Sequence, residues 1–122
     1  MEKIVLTWSK IDTLDSAKVN SVASNLAGVY RLSYRHEDSN IYVFYVGEGE
    51  DIKKQLLSHI SEGEQRVCVK NFIALKPCFF KYAPVPDPTI RNLVYRQICK
   101  FYQPSCNDDK TTGDDIIELN VN

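Results

Sequence analysis

No apolar run in the 122-residue chain approaches the ~20 residues that a helix needs to cross a bilayer, so no membrane span is expected. The four cysteines, Cys68, Cys78, Cys99 and Cys106, contain no C-x-x-C pair and lack the spacing of small disulfide frameworks or zinc sites. Reduced thiols are expected. A charged-then-apolar leader is missing too, because Met1 to Trp8 mixes charged and apolar residues over too short a span. Together these absences point to a cytoplasmic location. There is also no basic excess, since 15 Lys and Arg face 16 Asp and Glu for a net charge of −1. This balance removes overall charge as a route to tight DNA binding and leaves only a local basic stripe. Neither a repeat nor a linker divides the chain, so residues 1–122 are read as one domain.

What remains is an ordinary globular composition, 43% hydrophobic and 25% charged. A domain of this size buries roughly two-thirds of its unfolded surface and needs no covalent staple. Lys3 to Trp8 alternates as a short strand or extended arm, and a weak helical signal runs from Leu14 to Ala23. Gly28 to Arg35 sets Val29 against Tyr30, Leu32 and Tyr34, the period of a half-buried strand. Ile41 to Val46 is a continuous apolar run that reads as a strand buried on both faces. The polar residues between them make an antiparallel hairpin the simplest connection.

After Gly47 the period changes. Ile52, Leu56, Leu57 and Ile60 fall on one helical stripe beginning near Asp51, with an acidic first turn suited to the helix dipole. Val67 to Ala74 and Cys78 to Ala83 are strand candidates divided by Pro77, the second the more convincing. Asp87-Pro88 opens a second long helix whose buried stripe is read as Ile90, Leu93, Val94, Ile98, Phe101 and Tyr102, with Pro104 ending it. The tail from Asp108 to Asp114 reads as mobile, and Ile116, Ile117, Leu119 and Val121 as a short edge strand. The fold class is α+β, a small and mostly antiparallel sheet flanked by helices.

On this frame the chain resembles the GIY-YIG endonuclease family from about Gly28 to Asn107. Gly28-Val29-Tyr30 matches the first motif and Tyr45-Val46-Gly47 the second. The helix from Asp51 to His59 and the closing Tyr102-Gln103-Pro104-Ser105-Cys106-Asn107 segment extend the match. The resemblance implies phosphodiester cleavage with one divalent metal held by a glutamate, an arginine on the phosphate and a tyrosine that helps activate water. A hard cation wants a carboxylate, and a guanidinium fork suits phosphate oxygens. This chain departs from that pattern at both charged positions: Gln55 stands at the arginine position and Tyr95 at the glutamate position. A neutral amide cannot offset charge developing on phosphate, and a protonated phenol is a poor magnesium ligand.

The family-equivalent positions are therefore Tyr30, Tyr45, Gln55, His59 and Tyr95, with no residue assigned a catalytic or metal-binding role. A ligand-binding surface would use these five together with Arg91, one helical turn before Tyr95. Lys53 and Lys54 flank Gln55 but are rotated away from it on the helix, whereas Glu48 and Glu50 follow the second motif directly. Three readings stay open. The first is a catalytically impaired domain kept as a nucleic-acid or protein interaction module, without cofactor. The second is an active magnesium-dependent DNA endonuclease with relocated residues. The third is a subunit whose missing groups come from a partner or a second copy.

Overall fold

A computed structural model gives the protein an α+β fold and describes residues 2–64, 66–108 and 117–122. In chain order the elements are β1 (Glu2–Ile4), β2 (Asp12–Thr13), α1 (Ser16–Asn20), β3 (Gly28–Arg35) and β4 (Ile41–Gly49). They continue with α2 (Ile52–Ile60), α3 (Val67–Leu75), β5 (Cys78–Pro84), α4 (Pro88–Tyr102) and β6 (Ile117–Leu119). Four strands make an antiparallel sheet in the order β2-β5-β3-β4, while β1 and β6 form a separate parallel pair. Alternation along β3 divides two cores. Tyr30 and Leu32 join Phe44, Ile52, Leu56, Val69 and Phe80 on one face, under α1, α2 and α3. Val29 points to the other, with Val46, Ala83, Val94, Ile98 and Ile117, under α4 and the terminal strands.

The hairpin is the expected one, and β4 carries an irregularity that alternation does not foresee. Leu32 pairs with Tyr45 and Ser33 with Val43, which leaves Phe44 as the extra residue of a β-bulge. Phe44 and Tyr45 both enter the first core while Val43 and Val46 pack on the second. The bulge turns Tyr45 onto the face of Tyr30. It also explains why the run from Ile41 to Val46 shows no clean alternation.

Both long helices start where a capping aspartate stands. Asp51 accepts from the Lys54 N–H at 3.1 Å, and Asp87 accepts from Thr89 at 2.9 Å and Ile90 at 3.0 Å, ahead of Pro88. Such caps contribute about 1 kcal/mol each. The first turn of α2 itself holds no acid, so the favourable charge at this end is the cap alone. Helix α4 ends with Gln103 in the left-handed region, φ 46°, before Pro104.

Several expectations need correction. Val67 to Ala74 is not a strand; it forms α3, where Cys68, Val69, Phe72 and Ile73 pack on the first core at helical spacing. A short apolar run fits either period, and only its neighbours decide. The buried face of α4 is Arg91, Val94, Ile98 and Cys99, whereas Ile90 and Phe101 are exposed. The thiols are not all reduced, because folding brings α3 beside the segment after α4 and joins Cys68 to Cys106 in a disulfide with a Cα separation of 5.4 Å. Cys78 and Cys99 are buried and stand outside any disulfide. The C-terminal strand pairs with β1 rather than with the main sheet, and residues 109–116 of the tail lie outside the described residues.

On the second face Arg31 is buried, its guanidinium 4.7 Å from the Trp8 ring centroid and 5.2 Å from that of Tyr102. Its Nη1 donates to the Tyr102 hydroxyl and to the Val121 carbonyl. The Trp8 indole N–H donates to the Asn120 carbonyl at 2.8 Å, so both chain ends are fastened around this cation.

Gly47 faces Tyr30 across the hairpin, and a Cβ there would lie 2.2 Å from Tyr30 Cζ. Tyr30 is among the most buried side chains, so its ring has nowhere to retreat. We expect Gly47→Ala to lower stability by about 1–3 kcal/mol in urea unfolding. At Gly63 the nearest atom to an added Cβ is 3.5 Å away, and Gly63→Ala should leave the midpoint almost unchanged. Equal effects at the two sites would contradict the packing of Tyr30 on Gly47.

Candidate functional site

The sheet face under α2 carries a cavity of about 360 Å³ lined by Tyr30, Tyr45, Gly47, Glu48, Gln55, Ser58, His59, Arg66 and Tyr95. Strand register supplies the first two tyrosines, whose ring centroids are 6.3 Å apart. Helix α2 adds Gln55, Ser58 and His59, which its periodicity stacks on one side. Its start is tied to the residues before β3 by the Ile52 N–H donating to the Leu26 carbonyl at 3.0 Å. From α4 comes Tyr95, whose hydroxyl accepts from Asn107 Nδ2 at 3.3 Å. The five positions singled out in the sequence thus lie in one pocket. Arg91 does not line it.

Beneath the pocket runs a buried hydrogen-bonded chain. His59 Nε2 lies 2.7 Å from the Tyr30 hydroxyl, and its Nδ1 meets the Glu64 carboxylate. A carboxylate can only accept, so Nδ1 carries the proton and Nε2 accepts from Tyr30. Burial lowers the His59 pKa from its ordinary value, outweighing the hydrogen bond to Glu64 that would raise it. Burial also holds Tyr30 well above the usual tyrosine range, with the neighbouring Tyr45 pushing the same way. The Tyr30 ring and the His59–Glu64 pair therefore form the floor of the pocket. Glu64 Oε1 also accepts from the Arg66 backbone N–H at 2.8 Å, which fixes the chain just before α3.

Two glycines of β4 admit the pocket side chains. Gly47 lies under the Tyr30 ring, and a Cβ at Gly49 would come within 2.1 Å of Gln55 Nε2. The Gln55 amide is thus folded down onto the strand. Tyr95 is pushed up to about 12, first by burial, and burial raises Tyr45 as well. Both hydroxyls stay protonated at neutral pH.

The charged groups are arranged differently from expectation. Arg91 is buried; its Nε donates to Glu48 Oε2 at 2.9 Å and its Nη1 to the Val85 carbonyl at 3.3 Å. It faces the pocket only through Glu48. Arg66, by contrast, lines the pocket with its guanidinium 5.3 Å from the Tyr45 ring centroid. Sequence reasoning missed Arg66, Glu64 and Ser58. Ser58 shares the face of Gln55 on α2, whereas Glu64 and Arg66 sit in an irregular connection where no period marks them.

The donor set does not suit a divalent metal. Among the described residues no group of three or more His, Cys, Asp and Glu is placed to hold an ion. Glu48 is the one carboxylate among the pocket-lining residues described, and it is engaged by Arg91. The Tyr95 phenol is held protonated and is a poor ligand for a hard cation.

The depressed His59 pKa has a consequence for stability. An unfolded chain takes up a proton on His59 near pH 6.5, whereas the folded chain does so only at lower pH. Between those values the unfolded state binds more protons, so stability is lost as pH falls through the window and this group contributes fully above it. We expect the urea midpoint to drop between pH of about 7.5 and about 5, and to drop less in His59→Gln. An equally steep fall in the variant would remove His59 as the cause.

No family model, no curated protein and no solved structure matches this chain, so the pocket's own geometry carries the functional argument.

Proposed function

We propose that the protein is a GIY-YIG nuclease-like domain that retains the groove of that family without its hydrolysis, and that it serves as a nucleic-acid interaction module. The observation behind this reading is the convergence of Tyr30, Tyr45, Gln55, His59 and Tyr95 on one cavity from two strands and two helices. Aromatic walls with a few donors favour stacking of a base and hydrogen bonding to acceptor oxygens. Hydrolysis needs more. Gln55 brings no charge to a phosphate, and Tyr95 offers no carboxylate to a metal. The near-neutral chain and the small number of pocket cations fit weak binding with a modest salt dependence.

This module needs no membrane contact, and no helix among the described residues is long and apolar enough to cross one. A cytoplasmic setting suits the unbridged Cys78 and Cys99, while the Cys68–Cys106 bridge suits an oxidising compartment better.

We expect no magnesium- or manganese-dependent nicking of supercoiled plasmid. Gln55→Arg alone should add nothing, since the metal would still lack its carboxylate, and only the double variant with Tyr95→Glu should gain activity. Each missing group is worth on the order of 10²–10³ in rate. Nicking by the unmodified protein that disappears in Tyr45→Phe would establish the active-endonuclease alternative instead.

A further inference from the structure

The two arginines near the pocket are held differently. Glu48 is neutralised from behind by Arg91, and the Glu64 carboxylate is occupied by His59 and by the Arg66 backbone. Arg66 itself is exposed and its guanidinium forms no ion pair among the described residues. Its position is nonetheless fixed: the backbone N–H is held by Glu64, and the guanidinium rests over Tyr45. An arginine set over an aromatic ring, with no ion pair among the described residues, suits an oxyanion.

The surrounding polar groups favour phosphate as that oxyanion. Tyr45 is a protonated donor, Gln55 carries an amide and Ser58 a hydroxyl, so donors face the cavity from β4 and α2. A tetrahedral phosphate presents acceptors in several directions, whereas a planar carboxylate is satisfied by the arginine fork alone. A cavity of about 360 Å³ has room for such a group together with part of a sugar or base against the Tyr95 ring.

We propose that Arg66 is the phosphate-recognising residue of this pocket and that it takes one phosphorylated nucleotide unit of a single-stranded nucleic acid. The proposal rests on the reading of the pocket as a binding site, and it adds to that reading the cation, the number of phosphates and, because a base stacked on the ring inside the cavity must be unpaired, the strandedness. Arg66 enters from the connection between α2 and α3, thirteen positions before Phe79 of β5 and outside every motif that carries the resemblance. It restores a positive charge to a pocket whose α2 position holds an amide.

The test is fluorescence anisotropy with a labelled short single-stranded oligonucleotide over a series of salt concentrations. Contact with one phosphate gives a slope of log K against log salt of about −0.7. Arg66→Gln should weaken binding about tenfold or more and flatten the slope to near zero, whereas Arg66→Lys should keep the slope and lose part of the affinity. The side chain is exposed, so neither variant should shift the unfolding midpoint. If the wild type binds and Arg66→Gln binds equally with the same slope, the role of Arg66 is overturned while the binding-module reading stands. If the wild type binds no oligonucleotide, both fail. Equal binding of duplex DNA overturns the single-strand preference, and displacement of the oligonucleotide by an equal concentration of a polyglutamate peptide overturns phosphate as the recognised group.

Discussion

Val46 lies on the outer strand of the sheet, where its N–H and C=O have no partner strand, and the Asn107 side chain answers both. Its Oδ1 accepts from the Val46 N–H and its Nδ2 donates to the Val46 carbonyl, each at 2.8 Å. The preceding residue extends the pairing, with the Cys106 N–H donating to the Phe44 carbonyl at 2.8 Å. An exposed strand edge is a template for unwanted association, and here a short stretch of the chain closes it. The same amide reaches the Tyr95 hydroxyl, and the same stretch is bonded through Cys106 to α3. One polar clamp therefore joins the edge of β4, the inner wall of the pocket and a helix on the opposite side of the sheet.

The pocket built on this clamp separates two kinds of charge. Two carboxylates are engaged by fixed partners: the half-buried Glu48 by buried Arg91, and the buried Glu64 by a hydrogen bond to His59. Removing one member of such a pair would strand the other away from water, which costs far more than the pair itself contributes. Arg66 belongs to neither pair and meets solvent. The distinction between charges engaged in the walls and the exposed Arg66 follows from burial.

Much of this architecture can be read from the residues. Strand β3, the hairpin, α2 and α4 follow from period, and Asp51 and Asp87-Pro88 mark the helix starts because caps act locally. The five pocket positions came from motif spacing, and their meeting in space depends on register. Helix α3 was misread because Val67 to Leu75 is apolar with either period, and its state is set by what it packs on. The bulge at Phe44, the Cys68–Cys106 bridge and the Glu64–His59 contact depend on long-range placement, to which local pattern is blind. Arg66 was hidden because it stands in a connection without period, and its place over Tyr45 depends on the fold. Arg91 drew attention through helical spacing from Tyr95, yet that face of α4 turns toward Glu48 and the Val85 carbonyl.

The chain contains one tryptophan, Trp8, and it stands at the closure of the two chain ends, stacked on Arg31 and bonded to Asn120. Its emission therefore reports on the seam between β1 and β6 rather than on the pocket, which lies on the other face of the sheet. Fluorescence and circular dichroism sample different parts of this molecule. A release of the terminal strands that leaves the four-stranded sheet intact would change the tryptophan signal while the far-ultraviolet spectrum stays nearly constant.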